Sequence, residues 1–165
     1  MEFEQLHQHR WDYFVRRIMV RYSILLFLFT SFTCRAQTAD DKLTLIELAH
    51  KRSAALVTGD SVEMKEILHE NFFYVNSYGE KKNRQKYIRN MFLQGDSKWI
   101  AQRIDSMDVK LIGPDAAILS FVVLDHFRYD GKEYKVYNRS TFVYWKKRKV
   151  WKCMSGHTTE LAGEK

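Results

Sequence analysis

From Trp99 onward the hydrophobic period is that of strands alone, and that change limits the fold more than any other feature. Before it, most apolar residues recur at helical spacing; after it they alternate, as strands require. Residues 99–111, with a break near Asp105, then 116–129, 133–145 and 150–160, read as strands. Gly113-Pro114-Asp115 makes the first turn and Asp130-Gly131 is a type I′ hairpin pair. The third connection is the basic run Lys146-Lys147-Arg148-Lys149. Helices first and hairpins last indicate an α+β fold, with helices packed on one face of a curved antiparallel sheet.

The helical half is punctuated clearly. Asp40 and Asp41 place negative charge where a helix dipole favours it. Leu45, Leu48, Ala49 and Leu56, with Ile46 and Ser53 one step over, make one broad face. Gly59 ends this helix. Asp60, with Glu63 three residues later, forms a capping box for a second helix over 61–68 that buries Val62, Ile67 and Leu68. Residues 71–77 read as a strand and Tyr78-Gly79-Glu80 as a turn. Asn83 caps a third helix carrying Tyr87, Ile88, Met91 and Phe92, which Gly95 closes. No linker or repeat interrupts residues 40–165, so residues 37–165 are expected to form one domain.

Upstream, Ser23–Phe32 is apolar and uncharged, and Arg16, Arg17 and Arg21 precede it. Cys34-Arg35-Ala36 follows, with Ala36 suited to the last position before a cut. This is the signal-peptide pattern, and the apolar run is short of the ~20 residues that span a bilayer. Residues 1–36 are therefore expected to be a signal peptide cleaved between Ala36 and Gln37, giving a periplasmic or secreted protein without a stable membrane anchor. Residues 1–18 are long for an n-region, so Met19 is the expected initiator. The alternatives are an uncleaved leader and a lipidated Cys34, although Ser31 and Phe32 depart from the lipoprotein pattern.

The formal charge is +7; residues 1–36 hold five Lys/Arg and three Asp/Glu. The basic run reads as a solvated hairpin tip, and without a basic face interleaved with exposed aromatics no nucleic-acid partner is expected. Cys153 stands in a strand pattern as a small buried apolar residue. No His/Asp/Glu cluster has metal-ligand spacing, so no metal or other cofactor is expected.

Several stretches in order resemble the NTF2-like superfamily, within it the DUF4440/SnoaL-like group. They are Ala55-Leu56-Val57-Thr58-Gly59-Asp60, Ile67-Leu68-His69-Glu70-Asn71-Phe72, Asp115-Ala116-Ala117-Ile118-Leu119, and Arg139-Ser140-Thr141-Phe142-Val143-Tyr144-Trp145 followed by Val150-Trp151-Lys152 and His157. The resemblance implies a cone: three N-terminal helices over a curved sheet enclosing a pocket. It implies a small apolar or acidic ligand and a homodimer through the sheet's outer face, favoured if Tyr134, Tyr137 or Tyr144 is exposed. It does not fix a reaction. By spacing, the general-base Asp of the ketosteroid isomerase branch falls near Asn76, and an amide cannot take that proton.

Candidate pocket residues are polar or aromatic groups on strands. Tyr74, Asn76 and Trp99 are placed at the pocket mouth, and Arg139, Thr141, Trp151 and His157 on the last hairpin. Asp125 is conspicuous after Phe121-Val122-Val123-Leu124, because a buried carboxylate has a raised pKa and can act as a base. The alternative to simple binding is a SnoaL-like lyase, isomerase or cyclase, with Asp125 or His157 moving the proton and Arg139 holding an oxyanion. The plain alternatives are a wet strand end at Asp125, an acid-paired Arg139 and a structural His157. His50 and His69 read as surface residues on helices.

Overall fold

The structure is a computed structural model that describes residues 38–93 and 97–162. The leader, Met19, Cys34, the Ala36/Gln37 junction and Gly95 lie outside the described residues. The chain divides into two compact units, Met1–Asp41 and Lys42–Lys165. The elements below belong to the second unit, apart from the first residues of α1.

Helix α1 covers 38–58. Gly59, with φ of +72°, turns the chain out of it. Helix α2 is Ser61–Ile67, and Asp60 Oδ1 accepts from the amides of Val62 and Glu63 at 3.0 and 2.9 Å. The cap is as expected, but Val62 is 69% exposed rather than buried. Strand β1, Leu68–Val75, begins three residues earlier than the aromatic run suggests, so His69 lies on a strand and not a helix. A short β2, Lys81–Asn83, follows the turn. Asn83 Oδ1 accepts from Lys86 N at 2.8 Å to start α3, Arg84–Ile88. That helix widens into a π turn over Arg89–Leu93, which carries Met91 and Phe92 half-buried.

The remaining strands are β3 Ser97–Ile112, β4 Ala116–Tyr129, β5 Lys132–Lys147 and β6 Val150–Glu160. They join one six-stranded sheet in the order β2-β1-β6-β5-β4-β3. The sheet is mixed and not wholly antiparallel, because β1 pairs with β6 in parallel. Parallel neighbours need a long connection, which residues 76–149 supply. The helix-then-hairpin order is that of the α+β cone.

Strand alternation sorts the sheet into two faces. Ala117, Leu119, Phe121, Val123 and Asp125 of β4 are buried, and the residues between them are half-buried. On β3 the more buried residues are Trp99, Gln102, Ile104, Met107, Val109 and Leu111, which is not period two. Register shifts at Trp99/Ala101 and Asp105/Met107 account for this. Each bulge adds one residue and returns the strand to phase. The break expected near Asp105 is thus a bulge inside a continuous strand. Ser106 there has φ of +34°, and its amide donates to Asp105 Oδ1 at 3.0 Å.

The inner row of β5 is Asn138, Ser140, Phe142 and Tyr144. Phe142 stands opposite Gly156 of β6. A Cβ at Gly156 would collide with the Phe142 ring, so the missing side chain is what lets that ring lie against the sheet.

Candidate functional site

Residues 45, 49, 52 and 56 share one face of α1 at helical spacing, and three of them are Leu45, Ala49 and Leu56. The fourth is Arg52, which this spacing drives into the interior. It is 3% exposed. Its guanidinium carbon lies 4.1 Å from the centroid of the Phe142 ring, and one terminal nitrogen donates to the Tyr87 hydroxyl at 3.4 Å. Its Nε has no hydrogen-bond partner. Among the described residues, no carboxylate lies within ion-pair distance of it.

The groups around Arg52 are neutral. Burial raises the pKa of Tyr87, Tyr144 and Tyr74. Burial also pushes the Cys153 thiol up to about 12, so this cysteine is a packed apolar group and not a nucleophile. A guanidinium keeps its proton in proteins. The inner face therefore holds a full positive charge among protonated phenols and a protonated thiol.

Further along the same face lies the one carboxylate in the β4 inner row. Asp125 is 5% exposed. Its oxygens accept from Gln102 Nε2 at 2.6 Å and Asn138 Nδ2 at 2.7 Å. Burial raises its pKa, against the opposing pull of those two amides and of Arg52. Ser140 and Thr158 hydroxyls meet at 2.9 Å beside it in the sheet. Trp99 Nε1, Gln102 Oε1 and the Tyr144 hydroxyl are buried without a partner. Buried polar atoms normally find one; with Arg52 Nε, four such atoms among the described residues lie on one sheet face and the helix above it.

The expected site residues divide between the faces. Tyr74, Trp99, Asp125 and Trp151 belong to the inner side with this cluster. Arg139 and His157 are exposed and Thr141 is half-buried, all on the outer side. Thr141 stands opposite His157, so Arg139 and His157 are neighbours across the hairpin, but facing away from Asp125. The reason is phase: Asn138, Ser140 and Phe142 take the inner row, which turns 139 and 141 outward. Asn76 sits in the turn after β1, where Oδ1 accepts from the amides of Tyr78 and Glu80 at 3.1 and 2.9 Å. It shapes that turn instead of lining a pocket. Tyr144 is buried, whereas Tyr134 is exposed. Arg52, Gln102 and Asn138 were missed by reading strands for lone polar residues. The available signal for Arg52 was a charge at the one position of the α1 face where Leu45, Ala49 and Leu56 demand an apolar residue.

Among the described residues there is no cluster of His, Cys, Asp and Glu placed to hold a metal, and no helix long and apolar enough to cross a membrane.

Residues 41–162 match the family described as the calcium/calmodulin-dependent protein kinase II association domain. Solved structures share the fold. A candidate Ca/calmodulin-dependent kinase II association domain from Exiguobacterium sibiricum 255-15 superposes with a TM-score of 0.69 at 25% identity, covering 75% of this chain and 95% of that one. An NTF2-like protein with a cystatin-like fold from Novosphingobium aromaticivorans gives 0.68 at 16% identity, covering 82% and 91%. The CaMKII hub of S. rosetta gives 0.60 at 16% identity, covering 71% and 94%. Curated protein sequences gave no match. The fold is NTF2-like.

The raised pKa of Asp125 has a consequence for stability. The folded chain holds this proton to higher pH than the unfolded chain, whose value is near 3.8. The group's effect is therefore most favourable below that value, and stability falls as pH rises from there to the folded pKa. Urea unfolding of the parent chain and of Asp125→Asn across this range should show the parent losing stability relative to the variant. A difference that stays flat or rises would contradict the burial argument.

Proposed function

The chain belongs to the calcium/calmodulin-dependent protein kinase II association domain family, and from that premise we propose a self-associating domain that binds a small organic acid against its inner sheet face. The ligand half of the proposal rests on Arg52. An unpaired buried ion costs several kcal/mol, and a desolvated cation–π contact returns only about 2 kcal/mol. An acid group of a ligand at the free edge of the guanidinium would close that gap. Trp99, Phe127 and Tyr134 form a wall of adjoining rings on the same face, the first pair tilted and the second stacked, with centroids 5.4 and 5.6 Å apart, suited to an apolar remainder.

The assembly half rests on the family and on the outer face. The two neighbours related to kinase association domains and hubs support copy-to-copy contact. Here Ile118, Val122 and Leu124 of β4 and Val143 and Tyr137 of β5 make a half-buried, largely apolar outer patch, the kind of surface that marks an interface. The sequence pattern also supports export: the apolar run at Ser23–Phe32 follows Arg16, Arg17 and Arg21.

Each part has its own check. Thermal-shift screening with small carboxylic acids should stabilise the parent chain. Arg52→Met should abolish that response and raise unliganded stability by about 1–4 kcal/mol, since an apolar side chain replaces an unpaired charge. A variant that responds like the parent would remove Arg52 from the site. In sedimentation velocity the parent should run as an oligomer and Val122→Lys as a smaller species; a monomeric parent would end the assembly reading. N-terminal sequencing of the exported protein should begin at Gln37, and an intact leader on that protein would contradict cleavage.

A further inference from the structure

A groove lies at the β5–β6 tip, away from the inner face. Trp145 pairs with Lys152 and Lys147 with Val150, so these four side chains share the outer side. His69, at the start of β1, sets its ring 5.6 Å from that of Trp145, tilted by 60°. With Arg148 these residues line a groove of about 450 Å³, within the size range of small-molecule sites. Trp145 keeps 37% of its surface and Val150 53%.

The charges around the groove are unbalanced. Lys147 Nζ stands 5.6 Å from the centroid of the Trp145 ring. Among the described residues, neither Lys147 nor Arg148 has a carboxylate within ion-pair distance. Lys152 is 3.5 Å from the exposed Glu66 carboxylate and also donates to the Glu66 carbonyl. Three cations thus face one carboxylate around an aromatic floor.

The turn itself points the same way. Arg148 and Lys149 have φ of +50° and +67°, a conformation that costs an ordinary L-residue about 1–2 kcal/mol. The hairpin at the other end of β5 makes its turn with Asp130 and Gly131, at +48° and +72°, residues suited to it. An Asn-Gly pair would relieve the basic tip. The sequence instead holds two cations in the strained positions, one of them lining the groove.

We propose that this groove binds an anionic ring compound, with its ring against Trp145 and His69 and its phosphate or carboxylate held by Lys147, Arg148 and Lys152. A flat apolar face satisfies the aromatic floor, and charge-assisted hydrogen bonds satisfy the cations. The basic run is then part of a binding site as well as a turn. Two sources carry this chemistry, a nucleotide and an acidic sugar, and one experiment separates them.

The purified full chain is titrated with adenosine diphosphate and with digalacturonate, each beside its uncharged counterpart, adenosine or digalactose. Heteronuclear NMR follows the Trp145 indole N–H, assigned by its loss in Trp145→Phe. At least one acidic probe should move that signal, more weakly as salt rises, and the uncharged counterparts should not. The double variant Lys147→Gln with Arg148→Gln should weaken binding about tenfold without lowering the thermal midpoint, as expected for exposed charge-assisted contacts. A response to the diphosphate alone identifies a nucleotide site, to digalacturonate alone an acidic-sugar site, and to both a general ring-and-acid site. If neither acidic probe moves the indole at millimolar concentration, or the double variant binds as tightly as the parent, the proposal is overturned.

Discussion

The guanidinium of Arg52 resting on the Phe142 ring is the contact around which the interior is arranged. It ties α1 to the middle of the sheet and brings a permanent charge into an apolar core. Its position depends on a chain of steric facts. Gly156 leaves room for the Phe142 ring, that ring lies on the inner face because the β5 register places it opposite Gly156, and Arg52 lies over it. Nothing in an apolar core requires an arginine there. A leucine or methionine would pack as well and would avoid the desolvation of a charge. The retained charge, with Nε left open, is the observation on which the proposed ligand rests.

The two roles proposed for this domain use opposite faces of a single sheet, and those faces are chemically independent. Alternation along β4 and β5 sends Asp125, Asn138 and Ser140 inward and Val122, Leu124 and Arg139 outward. The bulges of β3 preserve this sorting along a sixteen-residue strand. Without them, Trp99 and Ile104 could not both face the interior, nor could Ile104 and Met107. The proposed ligand on one side and the proposed second copy on the other would therefore be gained or lost separately. Arg139 and His157 stay close to each other, but the sheet itself separates them from Asp125, so these three residues do not form one acid/base constellation.

Much of the architecture was legible because it depends on local chemistry. Asp60 and Asn83 cap their helices through side-chain oxygens, Asp130-Gly131 supplies a left-handed turn, and β4 and β6 run between the residues where the pattern begins and ends. What the sequence hid depends on partners distant in the chain. The parallel pairing of β1 with β6 and the entry of α1 over Phe142 leave no local trace. The site followed the same division. Asp125 stood out because its own strand is apolar, whereas Arg52 required asking which residue breaks the face of a helix. Alternation says which residues share a face, but not which face is inside, and Arg139 and His157 lie on the exposed one.

Ligand binding at the inner face requires an open Arg52 Nε–H in a buried setting. NMR of the arginine side-chain N–H groups, assigned by Arg52→Met, measures that group directly. The unliganded chain should give a slowly exchanging Arg52 signal that shifts when a small carboxylic acid binds. A signal that exchanges at the rate of exposed arginines, or one that stays fixed while the acid binds elsewhere, would contradict it.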